Sequence, residues 1–385
     1  MSAPLHILFL PKWYPHAAES FDGNFIENYA HALKRKVNIT VLFVHSEAGL
    51  RNYRIEENQN EGIYEVLVFF PKSESGVNLI DKATNAYRYQ KAQKLGYEAL
   101  IDKKIDLCHI HVLSRSGSLA LKLKKKNNIP FVISEHWSGY HKEVGEYKGA
   151  AKKAFTQQLC RAASGIHTVS SRLQQSMEAH HLSNRYFVIP NVVDTALFSL
   201  EAPKNTHLEL LFVGNLIQEV KQILDIIHTI AKLQDEFSQV RLSIYGEGKD
   251  EVRCKELIQS LGKEDVIRMK GVRSRAEIAN VMAHSDALLL FSAYENQPCV
   301  INEALSCGLP VIVPDIEGIV EFTNDTVALH FQKNDCKAFE AALRKFIDSP
   351  EAFDRQKIRA FAVENFSEEK IAEKFLTFYQ KALDA

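Results

Sequence analysis

The sequence has no apolar run close to the length of about 18 residues that a membrane-spanning helix needs. The first apolar segment, residues 6–10, is also too short for the core of a signal peptide, and no basic segment precedes it. We therefore expect a protein that is made and kept in the cytoplasm.

The six cysteines form no C-x-x-C pair and have no repeated spacing. Histidine and cysteine residues do not recur at the intervals of a zinc site either. This pattern argues against a disulfide framework and against a structural zinc site. Free thiols in a reducing compartment are the simpler interpretation.

The phosphate-binding signatures G-x-G-x-x-G and G-x-x-x-x-G-K-[ST] are both absent, which argues against classical dinucleotide and P-loop chemistry. Low-complexity tracts and solenoid repeats are absent as well. Apolar residues make up 46% of the 385 residues and charged residues 25%, as in soluble globular proteins. At about 150 residues per domain, this length predicts two domains.

Net charge is almost absent, since 47 Lys and Arg oppose 48 Asp and Glu. A dedicated nucleic-acid binder would show a basic excess. The balance hides a division, however, because residues 1–200 carry 25 basic and 18 acidic side chains, whereas residues 201–385 carry 22 and 30. The two halves of the chain therefore have opposite net charge.

Short apolar segments alternate along the chain with amphipathic segments of about 10–15 residues, a pattern typical of βαβ units and parallel sheets. The polar stretch at 47–62 interrupts this pattern and is assigned no strand. The alternation restarts near Leu208, so the linker is predicted at about 192–207. We predict an α/β protein with two doubly wound, Rossmann-like domains at 1–195 and 205–365, and a terminal helix at 366–385 that packs back on the first domain. Ligands of such sheets bind outside the carboxyl ends of the strands.

The segment 287–314 carries the clearest chemical signal. A buried strand is followed by a polar turn and then by a helix that begins near Val300, and Glu295 and Glu303 flank that helix start. Carboxylates facing a cleft are suited to accept hydrogen bonds from sugar hydroxyls. Alternatively, both glutamates only stabilise the helix start through its dipole. Their spacing does not separate these two interpretations.

The segment from Glu295 to Glu303, followed by ALSCGLPV, resembles the Glu-x7-Glu motif of the family 4 retaining glycosyltransferases, which have the GT-B fold. Other landmarks of this family occur in the same order along nearly the whole chain. They are Gly23 after the first strand, His136 in ISEHWSG, Asn191 and Asp194 in VIPNVVDTALF, VGNLIQEVKQ with Lys221, YGEG with Gly246, and Gly318 with Glu321.

The resemblance implies a role for each matching position. Glu295 would contact the transferred sugar, Glu303 the ribose of the nucleotide, and Lys221 the departing diphosphate. His136 would position the donor sugar or polarise the acceptor; on its own it could equally be a core imidazole. The implied catalytic residues are His136 and Glu295, and the implied donor-binding residues are Gly23, Asn215, Lys221, Gly246, Asn296 and Glu303.

Two positions depart from the family pattern. Asn215 stands where family members usually have an arginine, so one cation facing the diphosphate is missing, and Arg273 or Arg115 are hypothetical substitutes. The usual Gly-Phe-Gly after the first glutamate is Asn296-Gln297-Pro298 in this chain. The backbone is therefore expected to approach the donor sugar less freely.

The resemblance implies transfer of a hexosyl unit from a nucleotide-diphosphate sugar, with UDP favoured over GDP, to a glycan or lipid-linked acceptor in surface polysaccharide or glycolipid synthesis. No cofactor and no metal are expected. The alternatives are a catalytically silent sugar-nucleotide-binding protein and a GT-B epimerase or phosphorylase.

The basic excess of the first half is concentrated in residues 101–172, which hold 13 Lys and Arg against 5 Asp and Glu. Four of these lysines, Lys122, Lys124, Lys125 and Lys126, fall on a predicted helix at 117–126. They form either an ordinary solvated face or a surface for docking to an anionic membrane, at about 1 kcal/mol per basic residue. The second hypothesis would make the protein peripheral at the inner face of the membrane; failure to float with anionic vesicles at low salt would exclude it. Nucleic acid is not an expected partner.

Overall fold

The computed structural model describes residues 4–17, 23–201 and 207–384. These residues divide into two compact units. Unit 1 combines the residues up to Ile189 with those from Ile371 onward, and unit 2 comprises Pro190–Lys370. The chain thus leaves unit 1 once and returns to it near its end.

Unit 1 is built on an eight-stranded sheet in the order β3-β4-β2-β1-β5-β6-β7-β8. All neighbouring strands are parallel except the pair β3 and β4. The strands are β1 (His6–Pro11), β2 (Asn38–Glu47), β3 (Arg54–Asn60), β4 (Ile63–Pro71), β5 (Leu107–His111), β6 (Phe131–Glu135), β7 (Ile166–Thr168) and β8 (Tyr186–Val188). The helices are α1 (Asn24–Leu33), α2 (Asn78–Glu98), α3 (Gly117–Asn127), α4 (Ala150–Ala162) and α5 (Ser171–Glu178), with a 3-10 turn at Ser138–Tyr140.

Strand β3 corrects the prediction that the polar stretch 47–62 contains no strand. It pairs antiparallel with β4 through a tight turn at Glu61 and Gly62, whose φ angles of 46° and 91° are both left-handed. This is the turn chemistry of a two-residue hairpin. Because β3 lies at the edge of the sheet with most of its side chains exposed, it lacks the apolar signal of the other strands.

Unit 2 is built on a six-stranded sheet in the order β11-β10-β9-β12-β13-β14, with all neighbours parallel. Its strands are β9 (Leu208–Val213), β10 (Val240–Tyr245), β11 (Ile267–Gly271), β12 (Ala287–Leu289), β13 (Val311–Pro314) and β14 (Ala328–Phe331). Its helices are α6 (Gln218–Lys221), α7 (Ile223–Glu236), α8 (Glu251–Ser260), α9 (Arg275–His284), α10 (Cys299–Ser306), α11 (Glu317–Val320), α12 (Cys336–Asp348) and α13 (Arg355–Phe366), with a 3-10 turn at Pro350–Ala352.

The last helix, α14 (Glu368–Leu383), supplies part of the core of unit 1. Phe375 is fully buried against Tyr29, at 5.0 Å between ring centroids, and against His167, at 4.9 Å. Phe378 packs on Phe187 at 4.8 Å. Burying side chains of this size contributes about 1.5–3 kcal/mol each.

In each sheet the strand order reverses beside the first strand. The chain builds outward from β1 through β2 and β4 and then continues on the other side of β1 with β5. In unit 2 it builds outward from β9 through β10 and β11 and continues on the other side with β12. The carboxyl ends of β1 and β5, and of β9 and β12, are therefore the expected ligand-binding edges.

Candidate active site

In unit 2, two of the predicted site residues meet beside the carboxyl ends of β9 and β12. The amide of Ala293 donates to the carbonyl of Val220 at 2.8 Å, which holds the segment after β12 against the short helix α6. Lys221 Nζ then donates to Glu295 Oε1, and the two side chains are only 17% and 12% exposed. The ammonium group and the carboxylate thus hold each other at the edge where a ligand is expected.

Two glycines let the backbone pack closely around this pair. A Cβ atom at Gly246 would lie 2.0 Å from the carbonyl oxygen of Gly214, and the φ angle of Gly246 is 129°. A Cβ atom at Gly318 would lie 2.0 Å from the carbonyl oxygen of Asn296. Side chains at these two positions would displace the backbone that carries the site, so glycine is required sterically at both.

The turn between β12 and α10 is fixed by a closed ring of amide hydrogen bonds. Asn191 donates from its backbone amide to Gln297 Oε1 and from Nδ2 to the Gln297 carbonyl, both at 2.7 Å. Gln297 Nε2 donates to Asn302 Oδ1 at 2.9 Å, and Asn302 Nδ2 donates to the Asn191 carbonyl at 2.6 Å. Gln297, one of the departures from the family pattern, therefore faces the protein interior. The neighbouring Asn296 is half-buried.

Glu303 lies on the second turn of α10, half-buried, and burial raises the pKa of its carboxyl group. The charge of Arg275 opposes this shift. Arg275 is the first residue of α9, which begins with a capping box between Ser274 and Glu277, and its guanidinium group lies 5.6 Å from the ring of Phe198. Sequence reasoning missed Arg275, although the Ser-x-x-Glu pattern marks the start of this helix.

Asn215 follows β9 and is exposed, and its carbonyl accepts from the amide of Ile217 at 3.0 Å. Neither Arg273 nor Arg115, the two hypothetical substitutes for the family arginine, is placed beside it by a described contact. Arg273 Nη1 donates to its neighbour's carbonyl, that of Val272, at 2.8 Å. The exposed Arg115 belongs to unit 1.

In unit 1, Gly23 precedes α1 with a left-handed φ angle of 72°. A Cβ atom there would lie 2.4 Å from the carbonyl carbon of Trp13, so the start of α1 packs directly on the segment after β1. The carbonyl of Gly23 accepts from the amide of Ile26 at 2.8 Å. The residues between 18 and 22 lie outside the described part of the chain.

His136 follows β6 and is positioned by Glu135, a buried carboxylate that sequence reasoning missed. Glu135 accepts from the amides of His136, Trp137 and Leu113 at 2.8, 2.9 and 3.0 Å and from the hydroxyl of Tyr140 at 3.1 Å. Burial raises the pKa of Glu135, and the three backbone amides lower it. Four donors on one carboxylate fix the loop that carries His136.

His136 belongs to a cluster of four buried or half-buried histidines with His109, His111 and His167. Its ring lies 5.9 Å from that of His167, and the rings of His109 and His111 are 4.0 Å apart. Burial, followed by the charges of neighbouring histidines, lowers the pKa of His109, His111 and His136 well below its ordinary value. Burial also lowers the pKa of His167, to about 4. His136 is therefore a neutral imidazole at physiological pH.

Two of these histidines form a hydrogen-bond chain with a single possible direction. The carbonyl of Ile189 can only accept, so His167 Nε2 donates to it at 2.7 Å, and His167 Nδ1 must accept from Ser134 Oγ at 2.7 Å. Ser134 Oγ in turn accepts from His109 Nε2 at 2.6 Å, and His109 Nδ1 accepts from the hydroxyl of Tyr379 at 2.8 Å. The chain runs from α14 to the last residue of the first segment of unit 1.

Two family models match the chain in succession. The model described as Glycosyltransferase Family 4 matches residues 23–197, and the model described as Glycosyl transferases group 1 matches residues 193–363. The chain belongs to the family 4 glycosyltransferases. The family resemblance predicted from the sequence is therefore confirmed.

Curated members of the family are distant relatives. The glycogen synthase of Mycobacterium tuberculosis is 27% identical over 62% of this chain and 59% of its own length. The N-acetyl-alpha-D-glucosaminyl L-malate synthase of Bacillus anthracis is 28% identical over 45% of each chain. The lipopolysaccharide 1,6-galactosyltransferase of Escherichia coli K12 is 25% identical over 68% of this chain and 76% of its own length. The chain thus spans between about half and three quarters of these relatives.

Solved structures show the fold. The sucrose-phosphate synthase of Thermosynechococcus elongatus matches with a TM-score of 0.76 and 14% identity over 99% of both chains. HepE of Anabaena in complex with UDP matches with a TM-score of 0.71 and 18% identity, over 98% of this chain and 100% of its own. The GT-B fold predicted from the sequence is confirmed.

Within residues 4–17, 23–201 and 207–384, no group of three or more histidine, cysteine, aspartate or glutamate side chains is arranged to hold a metal ion. The helices in the same ranges include none that is long and apolar enough to cross a membrane.

The histidine cluster predicts that unit 1 loses stability in mild acid. Because the folded imidazoles resist protonation, the unfolded chain binds more protons below the ordinary histidine pKa of about 6.5, and stability falls as the pH falls. The expected loss is about 1.4 kcal/mol per pH unit for each such histidine, continuing for His167 down to about pH 4. Urea denaturation followed by tryptophan fluorescence measures it, since Trp13 and Trp137 both lie in unit 1.

In the same assay His167→Gln should reduce the pH dependence by about one proton. The matched control is His228→Gln, which changes an exposed histidine of unit 2. Equal slopes for wild type and His167→Gln between pH 6.5 and 4.5 would contradict the assignment of His167 as a neutral buried group.

Proposed function

We propose that this protein is a retaining hexosyltransferase that uses a nucleotide-diphosphate sugar, with UDP favoured over GDP, and a glycan or lipid-linked acceptor. The observation that carries the proposal is the pairing of Lys221 with Glu295 beside the ends of β9 and β12, with Glu303 on the helix that follows. The names of relatives support it, since they include a lipopolysaccharide galactosyltransferase and a glycogen synthase. HepE, which shares the fold, has been solved with UDP and with UDP-glucose.

The proposed chemistry places opposite charges where the reaction needs them. During transfer, the bond from the anomeric carbon to the diphosphate oxygen breaks and its electron pair leaves with the nucleoside diphosphate. A new bond forms from the anomeric carbon to the acceptor hydroxyl oxygen, and the proton of that hydroxyl passes to the departing phosphate oxygen. The leaving group therefore gains negative charge, which the ammonium group of Lys221 stabilises.

Glu295 has two tasks in this proposal. Before the donor binds, it neutralises the half-buried Lys221, which would otherwise be an unpaired charge of low hydration. When the diphosphate takes over Lys221, the Glu295 carboxylate is released to accept from hydroxyl groups of the sugar. Glu303 accepts from the ribose hydroxyls. Backbone amides near Gly23 and the neutral ring of His136 complete the donor site.

The expectations that transfer needs no cofactor or metal, and that the protein is cytoplasmic, stay predictions. Docking to an anionic membrane also stays a prediction. Lys122, Lys124, Lys125 and Lys126 are all exposed on or near the end of α3. Lys124, however, donates to the carbonyl of Ala162 at 2.6 Å, so one of the four lysines serves an internal contact.

Removing the Lys221 ammonium group should weaken UDP binding. A charge-assisted hydrogen bond contributes about 1.5–3 kcal/mol, so Lys221→Ala should lower the affinity for UDP about 10- to 150-fold, measured by thermal shift against UDP concentration. Because Lys221→Ala also leaves Glu295 unpaired, the double variant Lys221→Ala, Glu295→Gln must bind UDP as weakly. Lys345→Ala, which removes an exposed lysine of the same unit, is the control. Unchanged UDP affinity in both Lys221 variants would exclude a diphosphate contact.

The alternative that the protein binds sugar nucleotides without turnover is favoured by Asn215 alone, and Glu295 separates the two functions. We expect wild-type protein to hydrolyse a UDP-sugar slowly without an acceptor, and Glu295→Gln to lose this activity at least about 100-fold while still binding UDP. Release of UDP measures the turnover. If wild type and Glu295→Gln are both inactive towards UDP- and GDP-sugars, the silent interpretation is the correct one.

Asn215 defines a further test of the donor site. If the exposed Asn215 leaves one diphosphate contact unmade, Asn215→Arg should raise the affinity for UDP about tenfold. Isothermal titration with UDP measures the change, and Asn215→Gln, which keeps the charge, is the matched control. The same affinity in Asn215→Arg and wild type would show that no diphosphate oxygen lies within reach of this position.

A further inference from the structure

Both tryptophans of the chain lie in one place in unit 1, together with two lysines. Lys12 Nζ lies 4.2 Å from the ring centroid of Trp13 and 5.7 Å from that of Trp137. Lys152 Nζ lies 3.8 Å from the centroid of Trp137 and 5.5 Å from that of Tyr147. Two ammonium groups, one from the end of β1 and one from α4, therefore share the Trp137 indole. We call these four residues, Lys12, Trp13, Trp137 and Lys152, the lysine–tryptophan face.

The Trp137 ring is held in position from several sides. A Cβ atom at Gly139 would lie 2.0 Å from Trp137 Cζ2, so the indole rests directly on the Gly139 backbone. The ring of Tyr140 packs edge-on at 5.1 Å, and the amide of Trp137 donates to the buried carboxylate of Glu135 at 2.9 Å. The indole is thus a fixed support on which the ammonium groups are placed.

Positive charge is concentrated at this face. Burial, followed by the charge of Lys12, lowers the pKa of Lys152. Lys153 Nζ adds a third ammonium group 5.6 Å from the Tyr147 ring. The nearby carboxylates are Glu135, whose oxygens already accept from four donors, and the exposed Glu146. An anion placed between Lys12 and Lys152 would relieve the repulsion between them.

The lysine–tryptophan face adjoins the predicted site residues of unit 1. The start of α1 at Gly23 packs on the carbonyl of Trp13. The ring of Phe25 lies 6.4 Å from that of Trp13 and 4.5 Å from that of His136. The ammonium groups are therefore next to the residues proposed to position the reacting sugar, at the carboxyl ends of β1 and β6.

We propose that the lysine–tryptophan face binds an anionic group on the acceptor, so that the acceptor is a sugar carrying phosphate or carboxylate. Both anions accept charge-assisted hydrogen bonds from ammonium groups, and the indole edges give an adjoining sugar ring an apolar contact. This inference rests on the proposed transferase function and adds the chemical class of the acceptor to it. A neutral sugar would leave two facing ammonium groups without a counter-charge.

Tryptophan fluorescence tests the proposal directly, because all tryptophan emission of this protein comes from this face. The probes are glucose 6-phosphate, glucuronate and glucose, titrated at low salt into the full chain. We expect saturable quenching by at least one charged sugar and none by glucose. The charged sugar that quenches more strongly distinguishes a phosphate acceptor from a carboxylate acceptor. No quenching by either charged sugar, or equal quenching by glucose, would overturn the proposal.

Variants assign the binding to the two ammonium groups. Lys12→Gln and Lys152→Gln should each weaken binding of the charged sugar about tenfold, and together they should abolish it. Lys148→Gln, which changes an exposed lysine of the neighbouring segment, should bind like wild type. Quenching that persists in the double variant would place the sugar elsewhere.

A second comparison separates this proposal from the proposed function. Lys221→Ala should keep the quenching, which excludes binding of the sugar phosphate at the proposed diphosphate contact. Lys12→Gln, Lys152→Gln protein should keep its stabilisation by UDP. Lost quenching with intact UDP binding in wild type would remove only the acceptor assignment, whereas absence of UDP binding in wild type would remove the transferase proposal.

Discussion

Parallel strands end with backbone groups that the sheet no longer pairs, and the chain must satisfy them where its ligand site is built. In unit 1 the buried carboxylate of Glu135 does this, since it accepts from three backbone amides and one hydroxyl. One of these amides belongs to Leu113, which follows Val112, a β-branched residue in the left-handed region at φ 66°. In unit 2 the amide ring of Asn191, Gln297 and Asn302 has the same task. Polar side chains without a direct part in the chemistry thus fix the residues that have one.

This division explains how much of the molecule could be predicted from its sequence. The alternation of apolar and amphipathic segments predicts both parallel sheets, because strand and helix periods are local properties. Glu295, Glu303 and Lys221 were found because they belong to a compact motif. The supporting residues were missed because their partners are far away in the chain: Asn191 meets Gln297 across 106 positions. A glutamine or a glutamate has no local pattern that shows its side chain faces inward. Strand β3 was missed for another reason, since an exposed edge strand needs no apolar face.

Burial has opposite consequences for the charged groups of the two units. In unit 1 the histidines lose their charge, because desolvation and mutual repulsion both favour the neutral imidazole. Neutral rings can then pass hydrogen bonds in one direction from Tyr379 to the carbonyl of Ile189. In unit 2 Lys221 and Glu295 pair with each other. A neutral network suits a rigid support, whereas an ion pair that a ligand can exchange suits a binding site.

The return of α14 to unit 1 has a consequence for how the chain acquires its structure during synthesis. Unit 2 is continuous from Pro190 to Lys370, so all of its strands and core helices are available once that segment has left the ribosome. Unit 1 emerges first but lacks Phe375, Phe378 and Tyr379, which fill its core from the end of the chain. The half of the protein that is made first is therefore completed last, and its histidine cluster stays open on one side until translation reaches α14.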